Sequence, residues 1–308
     1  MKHSTYDVVI IGGGPGGYAA ALYCVRAGLS TLVLEKLSAG GQMATTTQVD
    51  NYPGFDEGID GFELAEKMQR GAERFGAETE YAEVTALDLT AQPKRITTSA
   101  GDVFGRTVIL ATGASPRPLG IPDEDALRGR GVSYCATCDG MFFRGKTVVV
   151  AGGGNSAAED ALVLSKICKK VYLVHRRDTL RATKSYLAPL EKASNLEFVW
   201  NKQIDRLIAP DGQLTTIGMT DRVTGEVSTL ETDGLFVAIG RVPDTALIAG
   251  QVELDEQGYI VADETTRTSV PGVFAVGDAR VKPLRQIITA ASDGATASKF
   301  VEEYLNQL

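Results

Sequence analysis

The chain has 308 residues, 44% of them hydrophobic and 23% charged, with a net charge of −8 at neutral pH. That length suggests two domains with a core each, and the acidic balance speaks against a nucleic-acid partner, whose phosphates call for a basic stripe. No apolar run reaches the roughly 18–20 residues that span a bilayer, and the short polar start lacks the apolar centre of a signal peptide, so a cytosolic protein is expected.

In chain order, residues 8–36 (VVIIGGGPGGYAAALYCVRAGLSTLVLEK) read as a hydrophobic strand, a glycine-rich turn, an amphipathic helix and a second hydrophobic strand. Gly12, Gly14 and Gly17 match G-x-G-x-x-G, with Pro15 at the start of the predicted helix. The first glycine permits the tight turn, the second lets a pyrophosphate approach the backbone, and the third packs helix on strand. Unpaired N–H groups and the helix dipole then attract the phosphates. The second strand ends on Glu35 and Lys36. A carboxylate there accepts hydrogen bonds from ribose hydroxyls, which suits an adenosine without a 2′-phosphate, as in FAD or NAD.

Residues 106–111 (RTVILA) form a short buried strand in this reading, and Thr112 and Gly113 open a Gly/Pro-rich crossing over 112–118. Next comes Cys135-Ala136-Thr137-Cys138, whose spacing can close a small disulfide ring. Asp139 follows directly and can accept or return a proton; its plainer role is a turn residue before Gly140.

Residues 148–177 (VVVAGGGNSAAEDALVLSKICKKVYLVHRR) repeat the strand–turn–helix–strand pattern, with Gly152, Gly154 and Ala157 in fingerprint positions and Asn155 and Ser156 between them. Where the first repeat has Glu35, this one has His175, Arg176 and Arg177, with Arg181 close behind. Arginines at that strand end neutralise a 2′-phosphate, so the second site suits NADPH; solvated surface charge is the alternative. One such fingerprint is weak, whereas two in matching contexts carry weight. A buried strand over 234–240 closes on Ile239 and Gly240 and enters a second crossing at 240–245. A third lies at 272–277, ending on Gly277, and 286–308 has helical apolar spacing that should return it to the first domain.

The expected fold is therefore α/β, with two Rossmann-like, three-layer nucleotide-binding domains. Residues 116–244 form an inserted domain carrying the dithiol, and 1–115 with 245–308 form a discontinuous one. Of the four cysteines, Cys24 and Cys168 fall inside the fingerprint helices and read as core packing.

With these motifs in view, the chain resembles bacterial-type, low-molecular-weight thioredoxin reductases over essentially its whole length. The matching segments are GGGPGG at 12–17, GGQM at 40–43, DNYPGF at 50–55, CATCDG at 135–140 and GGGNSA at 152–157. HRR with Arg181, VFAVGDA at 273–279 and RQIITAASDGATA at 285–297 complete them. A dithiol just before the second fingerprint is the most specific feature, since larger disulfide reductases carry theirs near the first.

The resemblance implies FAD in the discontinuous domain and NADPH in the inserted one. It implies that Glu35 holds the adenosine ribose, with Gly41, Gln42 and Asn51 near the isoalloxazine or ribityl. Asp278 would meet the ribityl–pyrophosphate, and Arg285, Gln286 and Ile287 would lie beside the flavin. For Asn51 and Asp278 taken singly, an ordinary turn residue is the alternative. The implied reaction passes electrons from NADPH through FAD to the Cys135–Cys138 disulfide and on to thioredoxin, with Cys138 nearer the flavin; which thiol attacks thioredoxin stays open. Rotation of the inserted domain about the two crossings and a homodimer are also implied. The family's I-G-x-x-P-N-T reads IGRVPDT here, with Asp244 for Asn.

Rival readings are a related flavoprotein fed by ferredoxin or acting on a peroxidase partner. Ferredoxin-fed relatives lack the second fingerprint and its arginines, and peroxidase-linked ones carry an extra N-terminal module. A zinc site built on CATC would need four ligands, from Cys24, Cys168 and the only two histidines, His3 and His175.

Overall fold

Near-continuous Val, Ile and Leu runs become parallel strands covered on both faces, and most of this chain's framework follows from that. The computed structural model describes residues 4–46 and 48–308, which form two units: Met1–Ser115 with Val242–Leu308, and Pro116–Arg241. Mixed α/β layering on parallel sheets builds both.

In the first unit the parallel order is Glu78–Tyr81, Thr31–Glu35, Tyr6–Ile11, then Gly101–Leu110, which also pairs with Val273–Ala275. Val9 lies opposite Leu32 on one side and Val108 on the other. The antiparallel strands Lys94–Thr98 and Val84–Asp88 extend the sheet. The strand expected at 106–111 thus begins earlier, because residues 101–105 pair back on Lys94–Thr98. The helix Pro15–Arg26 buries Tyr18, Ala20, Ala21 and Cys24. The tail helix Ile287–Leu305 packs on it, returning to the first unit as its spacing suggested.

The second unit has a fully parallel sheet, ordered Leu196–Val199, Lys170–Val174, Thr147–Gly152, Gly234–Ala238, Val132–Ser133. The helices Asn155–Ser165 and Lys184–Lys192 belong to it. An antiparallel sheet of Lys202–Ile208, Thr216–Asp221 and Val227–Glu231 was not anticipated. The two crossings contribute Ala114–Pro116 and Arg241–Pro243, which pair as a short two-stranded sheet. Asp244, the departure from the usual Asn, sits at this point: its N–H donates to the Gly113 carbonyl and its carboxylate accepts from the Ser115 hydroxyl at 3.0 Å. No helix among the described residues is long and apolar enough to cross a membrane.

Candidate active site

At the first fingerprint, Gly12 has a φ of +106°, and a Cβ there would strike the Ala111 carbonyl. A Cβ at Gly17 would collide with the Gly12 carbonyl, so the third glycine sets helix against strand. Gly14 is different: no atom lies within 4 Å of a Cβ built on it. It caps the helix Pro15–Arg26 without a side-chain bond, leaving that end open to an anion. Glu35 is held facing the turn, its Oε2 accepting Gly13 N–H and its Oε1 accepting Lys36 N–H, both at 2.8 Å. The Lys36 ammonium turns away to pair with Glu83 at 2.7 Å.

Distant segments close around this turn. Gly40 N–H donates to the Gly13 carbonyl at 2.7 Å, which brings the GGQM segment alongside. Facing Gly41, the nearest atom to a built Cβ is the Gly14 Cα at 4.0 Å, so the two glycines border one open lane. The Gln42 side-chain amide donates to the Ala114 carbonyl. Asn51 Nδ2 donates to Gln286 Oε1 at 3.0 Å, joining segments 235 residues apart. Gln286 also caps the tail helix in a capping box with Thr289, and Ile287 opens that helix packed against the core. Arg285 lies over the Tyr259 ring at 4.0 Å, and its Nε reaches the Asp278 carbonyl at 3.4 Å. Gly277 and Asp278 begin a 3₁₀ turn, and the Thr112 hydroxyl beside Gly113 is buried without a partner.

The second fingerprint repeats the plan with another charge. Gly154 caps the helix Asn155–Ser165 over open space, with Asn155 and Ser156 in its first turn and Ala157 packed under Gly152. Asn155 Oδ1 accepts Thr183 N–H at 2.9 Å and the Gly153 carbonyl accepts Arg181 N–H at 2.6 Å. Those bonds dock the Arg181 segment on the glycine turn. Arg176, Arg177 and Arg181 are exposed, whereas His175 is buried, its ring filling the space a Gly153 side chain would need. Burial, then the charges of Arg181, Arg177 and Arg176, push the His175 pKa below its usual 6.5, so all three guanidinium groups act on one spot. Ile239 is half-buried, and the Gly240 carbonyl accepts Arg117 N–H at 2.9 Å.

The dithiol stands in the same unit. Cys135 and Cys138 form a disulfide with their Cα atoms 5.3 Å apart, around the short helix Ala136–Asp139. Thr137 Oγ1 lies 3.3 Å from Cys135 Sγ. Ser133, at the end of a sheet strand, donates to Asp139 Oδ2 at 2.6 Å and accepts Cys135 N–H at 3.1 Å. Burial pushes the Asp139 carboxyl up, and the Ser133 bond partly offsets it. A second carboxyl, Asp160, is raised to about 7 by burial and by Glu159, against a hydrogen bond from Ala136 N–H and the charge of Arg241. Cys24 and Cys168 are free and buried, with thiols pushed up to about 12 and about 11 by burial.

The sequence pattern of the pyridine nucleotide-disulphide oxidoreductase family matches residues 6–294. The chain is 44% identical to a thioredoxin reductase of Listeria innocua, covering 100% of this chain and 96% of that protein. It is 47% identical to one of Streptomyces clavuligerus, covering 98% and 94%. This chain belongs to the pyridine nucleotide-disulphide oxidoreductases, in the thioredoxin reductase family. The solved thioredoxin reductase of Streptococcus pyogenes superposes with a TM-score of 0.89 at 41% identity, over 99% of each chain.

Membership in the thioredoxin reductases implies FAD and NADPH, and the residues present fit both. For FAD, an uncapped helix end, open space at Gly14 and Gly41, and a buried Thr112 hydroxyl without a partner suit a pyrophosphate-bearing dinucleotide. For NADPH, an uncapped second helix end beside three exposed arginines suits a phosphorylated dinucleotide. Ser133, Asp160, Gly13 and Gly153 escaped the sequence reading. Only the middle glycines left a sequence signal, as the G-G-G spelling of both turns. The histidine His3 lies outside the described residues, and among the described residues no group of His, Cys, Asp or Glu is arranged to hold a metal.

Proposed function

We propose that the protein reduces oxidised thioredoxin with NADPH, the first unit holding FAD and the second holding NADPH and the dithiol. The observation that carries this reading is the Cys135–Cys138 disulfide in the same unit as an arginine-ended fingerprint. FAD, when bound, supplies a two-electron relay between NADPH and that disulfide. Glu35 receives the adenosine ribose, and the first helix end receives the pyrophosphate. Gly41, Gln42, Asn51, Thr112 and Gly113 with the 277–287 segment surround the rest. Arg176, Arg177 and Arg181 take the 2′-phosphate, and Gly152, Gly154 and the first turn of Asn155–Ser165 take the second pyrophosphate.

NADPH and one proton are consumed as the Cys135–Cys138 bond opens to two thiols and NADP⁺ leaves. A thiolate of the pair then attacks the thioredoxin disulfide, forming one mixed disulfide and releasing one thioredoxin thiolate. The second cysteine displaces the mixed disulfide, so thioredoxin leaves as a dithiol and Cys135–Cys138 closes again. Asp139, buried and held by Ser133, gives its proton to the departing sulfur and takes it back from the attacking thiol. A dithiol that serves both a flavin and a protein must change company, so the reading includes rotation of the units about the paired crossings. A cytoplasmic homodimer completes it.

The test is anaerobic NADPH oxidation by the purified yellow protein with thioredoxin from the same source. Rapid oxidation that needs both thioredoxin and Cys138, with loss in Cys138→Ser, is expected. Flavin reduced by NADPH while thioredoxin stays oxidised would point to another disulfide partner. Flavin left oxidised would remove NADPH as donor.

A further inference from the structure

The turn after the last strand of the first unit is held from behind by a buried ionic cluster. Val273–Ala275 leads into Gly277–Ala279, where Gly277 has the left-handed φ of +70°. Gly277 N–H donates to Asp293 Oδ2 at 2.9 Å, from the side of the tail helix Ile287–Leu305. Arg280 grips the same carboxylate at two points, Nε to Oδ2 at 2.9 Å and Nη2 to Oδ1 at 3.0 Å. Lys282 Nζ adds a third cationic contact, 2.6 Å from Oδ2. The Arg280 and Lys282 side chains are 5% exposed and that of Asp293 is 10% exposed.

The cations are themselves fastened. Arg280 Nη1 donates to the Ala262 and Asp263 carbonyls at 3.0 Å each, and Lys282 Nζ to the Thr289 carbonyl at 3.2 Å. Burial alone would push the Asp293 carboxyl up, but the bonds from Arg280 and Lys282 outweigh it and hold the pKa below the usual carboxylate range. Buried ion clusters are weak sources of stability, because apolar residues of similar volume often serve as well or better. Stability of the fold is therefore a poor account of this one. Besides the two cations, the carboxylate holds Gly277 N–H, and with it the entry to the turn carrying Asp278.

We propose that Asp293 is a positioning residue for flavin binding, setting the orientation of the Gly277–Ala279 turn, and so of Asp278, through the Gly277 N–H. This rests on the reading that Asp278 meets the ribityl–pyrophosphate of FAD; Asp293 acts only through the turn.

The test uses the flavin-loaded protein and follows FAD release by the fluorescence of free flavin after dilution, with circular dichroism to report the fold. Asp293→Asn keeps the shape of the side chain but leaves two buried cations facing a neutral amide. Release about ten-fold faster or more, from a folded protein, is expected for the loss of a charge-assisted anchor. Should that variant fail to fold, the combined Arg280→Leu, Lys282→Met and Asp293→Leu variant carries the test. It removes the whole cluster, which is often neutral for stability, and still leaves Gly277 N–H without its acceptor. Release at the unmodified rate from either folded variant overturns the proposal. Asp278→Ala separates this from the reading beneath it. Unmodified release from Asp278→Ala means that the turn is no flavin contact, and both fall. Fast release from Asp278→Ala with slow release from the Asp293 variants keeps the turn and removes the positioning role.

Discussion

Single side chains in the second unit do their work through charge held at short range. Ser133 spends its one proton on Asp139 at 2.6 Å, and this bond favours the ionised carboxylate while burial disfavours it. Ser133→Ala should therefore raise the Asp139 pKa further. If Asp139 must carry a proton when sulfur departs, the alkaline limb of kcat/KM for thioredoxin moves to higher pH in Ser133→Ala and vanishes in Asp139→Asn. A limb unmoved in both would assign the proton to another group. The arginines give a second residue-scale prediction: Arg176→Ala with Arg177→Ala should raise the KM for NADPH about ten-fold or more and leave that for NADH nearly unchanged, as expected when charge-assisted bonds to a phosphate are lost. Equal effects on the two nucleotides would remove the phosphate-binding role. His175 adds a pH dependence. Its pKa is lowered by burial and then by the arginines, so the unfolded chain binds a proton there before the folded one does. The stability that neutral His175 contributes is present above pH 6.5 and is lost as pH falls from there through the folded value. Denaturant midpoints between neutral and mildly acid pH should show this loss, and His175→Gln should flatten it.

At the scale of elements, both fingerprints use the same device with different partners. The side chain at the end of the second strand comes back over the middle glycine: the Glu35 carboxylate over Gly13, and the His175 ring over Gly153. Each turn is thus braced by a side chain from the end of its second strand, a carboxylate in one and an imidazole in the other. The tail helix is fixed by close approach. A Cβ on Gly294 would meet the Gly16 carbonyl, and would lie 2.7 Å from the Ala20 nitrogen in the helix Pro15–Arg26. Backbone cannot yield as a flexible side chain can. Gly294→Ala should therefore destabilise the first unit by about 1–3 kcal/mol, the usual range for an overpacked core. Thermal unfolding of the flavin-loaded protein measures it, and an unchanged Tm would show that the helices part without cost.

For the whole molecule, the consequence of two units joined by two short crossings is mechanical. The proposed cycle needs the dithiol to serve a flavin and then a protein. A verified cross-link between the units should abolish thioredoxin turnover while FAD stays bound. Full turnover in the cross-linked protein would sink the rotation and leave the chemistry intact.

What could be read from the chain alone is what backbone sterics and local charge dictate. Gly12 and Gly17 announce a strand-to-helix turn because a Cβ on either would strike backbone, Gly14 leaves the helix end open, and Gly152, Gly154 and Ala157 repeat the spacing. Glu35 against Arg176 and Arg177 puts opposite charge at matching strand ends, and Cys135 with Cys138 lies close enough in sequence to pair without help from the fold. The contacts of Ser133, Asp160 and Asp293, and the partner of Asn51, were decided elsewhere. Asn51 reaches Gln286 across 235 residues, and Asp293 reaches Gly277 only because the tail helix lies against that turn. The antiparallel sheet from Lys202 to Glu231 was likewise silent, since its strands carry no motif and gain meaning only through pairing. Local chemistry is spelled in consecutive residues, but a hydrogen bond between distant ones exists only after packing has chosen their neighbours.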